Sequence, residues 1–204
     1  MSPEDQPTVT LSWPEVMEGV LCGGHRRIEN LRWGTRSNAP PEVGWQRDIE
    51  GGLAEKALAK HLNLYHHGAY VFRAADISGT VQVRGTPRAD GCLLVHKPGR
   101  GANLDDPNDA FVLVTGCDGT YTIRGWLPGH AAMLPEYWCD RGRNGRPAFF
   151  VPQAALQPIR TLVCYLDRPT PGARLIVSSA PSQAASSTLR STSRVSASEA
   201  KPAS

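Results

Sequence analysis

Apolar and polar positions recur at two different periods along this chain, and the change of period divides it. Leu53, Ala54, Ala57, Leu58 and Leu62 fall on one half of a helical wheel. That spacing predicts a helix over about 48–63, with Gly68 beyond its end. Glu55 lies at the border of the apolar face and Glu50 near its middle, where an unpaired carboxylate is costly to bury. Glu50 is therefore expected to cap the helix start or meet a cation. Upstream, Ser12 followed by Trp13, Pro14 and Glu15 carries the signals of a helix start. The helix expected there covers 13–22, breaks or bends at Gly23-Gly24, resumes through His25–Trp33 and stops at Gly34, with a loop over 35–44.

Beyond this region the period shortens to two. Strands are predicted at 69–75, 80–85, 92–96, 110–115, 120–126, 147–151 and 161–166, separated by Ser78-Gly79, Asp90-Gly91, Asp118-Gly119 and Gly142–Gly145. Asp118-Gly119 between two alternating runs is a hairpin signal. Helices first and strands afterwards imply an α/β or α+β domain with a mixed central sheet flanked by helices. The chain divides into an N-terminal helical segment and loop (1–44), an α/β core (45–177) and a tail (178–204). The tail is mostly Ser and Ala and lacks aromatics, so it cannot bury enough apolar surface to offset its ordering entropy and is expected to be disordered.

Composition changes this picture little. No apolar run is long enough to span a membrane, and MSPEDQPTVT has neither the basic nor the apolar region of a secretory signal, so a cytoplasmic location is expected. Cys22, Cys92, Cys117, Cys139 and Cys164 are scattered and odd in number, as reduced thiols are. Cys22 and His25 have no second pair at zinc-finger spacing. The net charge is +3, and much of it lies in the tail at Arg190, Arg194 and Lys201. A protein that coats nucleic acid without specificity carries more, so DNA binding would use a local patch.

Candidate chemistry gathers around the strand at 80–85. Val81 and Val83 point to one face, Gln82 and Arg84 to the other. A bend at Ser78-Gly79 would bring Asp76 beside Gln82, and Glu55 could approach from the helix. Oxygen ligands of this kind hold Mg²⁺ or Mn²⁺, which activates water and neutralises phosphate charge, while a nearby cation stabilises the transition state.

These residues resemble the PD-(D/E)XK nuclease superfamily. Asp76 matches the first acid, Gln82 the second ligand and Arg84 the lysine position. Gly51-Gly52-Leu53-Ala54-Glu55-Lys56-Ala57 resembles the helix of the resolvase-like branch, with Glu55 at its glutamate, and Val81–Arg88 resembles that branch's next strand. The whole chain, including Gly125-Trp126 and Phe150–Gln153, is similar to a family of bacteriophage-encoded proteins. The resemblance implies a restriction-endonuclease-like fold, a Mg²⁺ or Mn²⁺ site made by Asp76, Gln82 and Glu55, and a catalytic set completed by Arg84. It also implies cleavage of DNA in the host cytoplasm. Gln and Arg stand where Glu or Asp and Lys are usual, and Arg cannot act as a base. The alternative is an inactive nuclease fold that binds DNA or a host protein.

Arg88, Lys97 and the Gly-rich loop with Arg141, Arg143 and Arg146 are candidate phosphate contacts. A homodimer is compatible with all of this. His66-His67 is expected to be solvated. Asp105, Asp106 and Asp109 lack the spacing and terminal Glu of a calcium loop. No nucleophile elbow, P-loop or dinucleotide fingerprint occurs.

Overall fold

The structure is a computed structural model, and it describes residues 5–34, 41–64, 66, 76–77, 79–99, 104–141 and 147–166. The predicted strand 69–75, His67, Arg143, Arg146 and the tail lie outside the described residues.

Strand β1 (Thr8–Thr10) leads into helix α1 (Trp13–Arg32) and helix α2 (Pro41–His61). Strands β2 (Val81–Thr86), β3 (Leu93–Val95), β4 (Lys97–Pro98), β5 (Leu104–Asp105), β6 (Ala110–Cys117) and β7 (Thr120–Pro128) follow. The described chain ends with the short helix α3 (Gly129–Ala132), strands β8 (Trp138–Cys139) and β9 (Ala148–Val151), and helix α4 (Arg160–Leu166). The main sheet has the order β1-β7-β6-β2, with β2 parallel to β6 and the other pairs antiparallel, so it is mixed. A smaller sheet has the order β3-β9-β8, and β4 pairs with β5.

Both faces of β6 are covered, which explains its unbroken apolar run. Ala110, Val112 and Val114 join α2's Leu53, Ala54, Ala57 and Leu58 in one core. Phe111 and Leu113 join Leu93, Val95, Phe149 and Val151 of the small sheet in another. The layers are α1 on α2, α2 on the main sheet, and the small sheet on the far side. No helix among the described residues is long and apolar enough to cross a membrane.

Helix α1 starts as its sequence signals: the Glu15 carboxylate accepts the Ser12 backbone N–H at 2.7 Å and the Ser12 hydroxyl at 2.8 Å. The expected break at Gly23-Gly24 does not occur, and α1 is continuous. Glycine here serves packing. A Cβ on Gly23 would collide with the Asp48 carbonyl and lie 2.5 Å from Ile49 Cα, and one on Gly52 would lie 2.5 Å from the Gly19 carbonyl oxygen. The helices cross backbone to backbone at these glycines. Helix α2 begins earlier than expected, taking 41–44 from the predicted loop.

The strand expected at 161–166 is α4 instead. Its β-branched and aromatic residues suggest a strand, but the positions that meet the core, Ile159, Leu162 and Leu166, recur at helical spacing. Asp118 and Gly119, with φ of 53° and 85°, make the tight turn joining β6 to β7. Among the described residues Glu50 neither caps α2 nor meets a cation: it accepts the Tyr121 hydroxyl, at 2.5 Å. Burial and that bond hold the Tyr121 phenol protonated, well above its ordinary range.

Candidate functional site

The β2 register decides where the predicted residues fall. Gln82 lies opposite Phe111 and Arg84 opposite Leu113 on β6. Val81 and Val83 pack into the α2-side core, and Gln82 and Arg84 face the small sheet, with Arg84 Cζ 5.2 Å from the centre of the Phe111 ring. Glu55 sits on the α2 side. The sheet therefore separates Glu55 from Gln82 and Arg84, and Asp76 is the residue that lies between them. Asp76 Oδ2 accepts the Val83 backbone N–H at 2.7 Å along the outer edge of β2, next to the Ile77–Val81 bridge.

On the helix side, Arg26 grips Glu55 with both arms: Nη1 donates to Oε1 at 2.7 Å and Nη2 to Oε2 at 2.9 Å. His66 Nε2 stands 3.4 Å from Glu55 Oε2, and the His66 side chain is only 3 % exposed, so this histidine is buried rather than solvated. Cys22, one turn before Arg26 on α1, completes the group: one ligand atom each from Cys22, Glu55 and His66 lie within 4.8 Å of one another. Against the upward push of burial, His66 and Arg26 keep Glu55 below the ordinary glutamate range. Burial first, and then the Glu55 charge, push Asp76 up to about 7; Val83, Arg84 and Arg26 pull the other way. Burial and Glu55 also raise the Cys22 thiol.

On the small-sheet side, Arg84 Nη2 donates to Asp105 Oδ1 at 2.7 Å and Nε to the Leu94 carbonyl at 3.2 Å. The other Asp105 oxygen accepts the His96 backbone N–H at 2.8 Å. Burial favours a protonated Asp105, but His96 and Arg84 overcome it and hold the group at about 2. Gln82 Nε2 donates to Asp109 Oδ2 at 3.0 Å. Burial raises Asp109, and Asp106 and Asp105 repel it further. Two polar groups thus flank β2: Cys22, Arg26, Glu55, His66 and Asp76 on one side, and Gln82, Arg84, His96, Asp105 and Asp109 on the other.

Of the predicted phosphate contacts within the described residues, Lys97 and Arg141 lie by the small sheet. Lys97 Nζ stands 5.3 Å from the Trp138 ring centre, and Arg141 Cζ 5.4 Å from that of Phe150. Arg88 is exposed and paired with Asp90 at 2.9 Å. Arg26, His66, Cys22, Asp105 and Asp109 were not among the residues marked for chemistry by the strand motif. The adjacent histidines were visible, but the partner of His66 is set by the packing of α1 and α2. Comparisons with protein-family models, curated proteins and solved structures gave no match to this chain.

Proposed function

We propose that the chain is a metal-dependent phosphodiesterase acting on DNA, of the PD-(D/E)XK type, with Asp76 and Glu55 as the carboxylates of its metal site. The supporting observation is the half-buried Asp76 beside the buried Glu55; loss of water first, and then the Glu55 charge, push Asp76 up to about 7. A divalent cation relieves such repulsion between neighbouring carboxylates. Glu55 gives both oxygens to Arg26 and its Oε2 also faces His66, so Oε1 keeps the lone pair that a hard cation such as Mg²⁺ or Mn²⁺ would use. That ion would supply an activated water and offset charge on the phosphate. In this reading the Arg26 fork orients Glu55, and the Val83 amide orients Asp76. Arg84 supplies positive charge for the transition state without acting as a base. Gln82 stays outside this metal site, because it lies on the opposite face of β2 from Glu55 and its amide nitrogen is committed to Asp109. Lys97 and Arg141, each beside an aromatic ring, suit contacts to a nucleic-acid strand, with Arg88 nearby.

Incubation of plasmid DNA with purified protein and Mg²⁺ or Mn²⁺ tests the reading. Nicking that vanishes with chelator and in Asp76→Asn is the expected outcome. No cleavage over a range of metals and salt rejects it.

A second reading is an inactive nuclease fold that binds DNA or a host protein. It is favoured by the internal commitment of both key charges, Arg84 to Asp105 and Glu55 to Arg26. Salt-dependent DNA binding without cleavage would select it. In either reading a homodimer would cover the exposed apolar stripe that Trp13, Met17, Leu21, Ile28 and Leu31 leave along α1. Sedimentation velocity reads the assembly state directly.

A further inference from the structure

Cys22 comes from α1, Glu55 from α2 and His66 from just beyond α2. Cys22 is 3 % exposed, and the side chains of Glu55 and His66 are equally withdrawn from water. The 3.4 Å between His66 Nε2 and Glu55 Oε2 is long for a charge-assisted hydrogen bond, which runs to about 2.7–2.9 Å. It agrees with the edge of a tetrahedron: two ligands at about 2.0–2.1 Å from a zinc ion stand about 3.4 Å apart. Cys22 Sγ, within 4.8 Å of both, needs only a modest approach to take a third corner. Arg26 answers the charge of Glu55, and the half-buried Asp76 brings a second carboxylate close enough to act on Cys22.

We propose that Cys22, Glu55 and His66 form a site for one transition-metal dication, zinc by preference, with the fourth position left to water. A thiolate and an imidazole favour zinc over magnesium, which takes oxygen ligands. Cys22 loses its thiol proton to solvent on binding, and His66 binds through Nε2 as the neutral imidazole. Arg26 stays on Glu55 as the hydrogen-bonding partner that fixes a ligating carboxylate. The site shares Glu55 with the phosphodiesterase reading but rests on Cys22 and His66, which that reading does not use.

The test uses the full chain, stripped with chelator and then supplied with zinc or cobalt alone. The expected result is one zinc retained per chain through gel filtration, and a thiolate-to-cobalt charge-transfer band with cobalt. Cys22→Ser and His66→Gln, with unchanged circular dichroism, should each lose the band or weaken binding at least tenfold. Absence of the band in the wild type, or zinc retention in both variants equal to that of the wild type, overturns the site. If either variant fails to fold, a chain with Cys92, Cys117, Cys139 and Cys164 replaced by Ser leaves Cys22 as the lone thiol. Zinc should slow its alkylation at least tenfold, and unchanged reactivity overturns the proposal. DNA cleavage scored in parallel separates the two ideas. Zinc held without cleavage rejects the phosphodiesterase alone, and magnesium-dependent cleavage without a cobalt band rejects the zinc site alone.

Discussion

In the unfolded chain Asp76 would lose its proton near the ordinary 3.8, whereas burial beside Glu55 keeps it protonated to about pH 7 in the fold. The folded state therefore binds more protons across that interval. This group's contribution to stability is greatest below about pH 4, falls as pH rises toward 7, and is level above that. Thermal melts of Asp76→Asn should lack the slope and show a higher Tm than wild type at pH 8; a parallel pH profile would contradict the assignment. In the proposed metal reading, Mg²⁺ or Mn²⁺ raises the wild-type Tm at pH 8 and leaves that of Asp76→Asn unchanged. An equal rise in both would remove Asp76 from the site. Arg84 separates enzyme from binder. If the chain cleaves DNA, Arg84→Ala should lower the rate far more than the affinity, and Arg84→Lys should keep or raise the rate. If it only binds, Arg84→Ala should weaken binding with a shallower salt dependence. Asp76, Gln82, Arg84 and Glu55 were legible as candidates because strand alternation and helical spacing are local properties. The contacts of Glu50 with Tyr121 and of His66 with Glu55 were not, because each joins residues whose nearness depends on how helices and strands pack.

Between elements, the α1–α2 crossing has no room for a methyl group at Gly23 or Gly52. Gly23→Ala should cost about 1–3 kcal/mol or more by overpacking. Gly24→Ala meets open space and should instead stabilise α1 by roughly 0.5–1 kcal/mol, as a helical Gly→Ala change does. Chemical denaturation of the two variants measures both, and equal effects would place the contact elsewhere. The same pair shows why the helix break was misread. Gly23-Gly24 has a weak helical preference, and the chain alone does not tell that one of the two faces a neighbouring backbone. Strands β2, β6, β7 and β9 followed their alternation or apolar runs closely. Strand β1, only Thr8–Thr10, was missed because its pairing with β7 comes from the far end of the domain's sequence.

For the whole molecule, the expectation of a mixed sheet flanked by helices agrees with the described architecture, since helix order and strand patterning together restrict the layers. The small second sheet was not foreseen as separate, because its strands are interleaved in sequence with those of the main one. Deleting residues 180–204 should leave the Tm nearly unchanged, given the composition of that segment. A large fall would mean that the tail packs on the domain. The glycine crossing also ties global opening to local chemistry. Cys22 and Arg26 flank Gly23 on α1, and Glu55 follows Gly52 by one turn on α2. Parting the helices must unclasp Arg26 from Glu55. Amide hydrogen exchange at Gly23 and Gly52 would then serve as a clock for the cluster, slowing in step when a bound ion or an added ion pair holds the two helices shut.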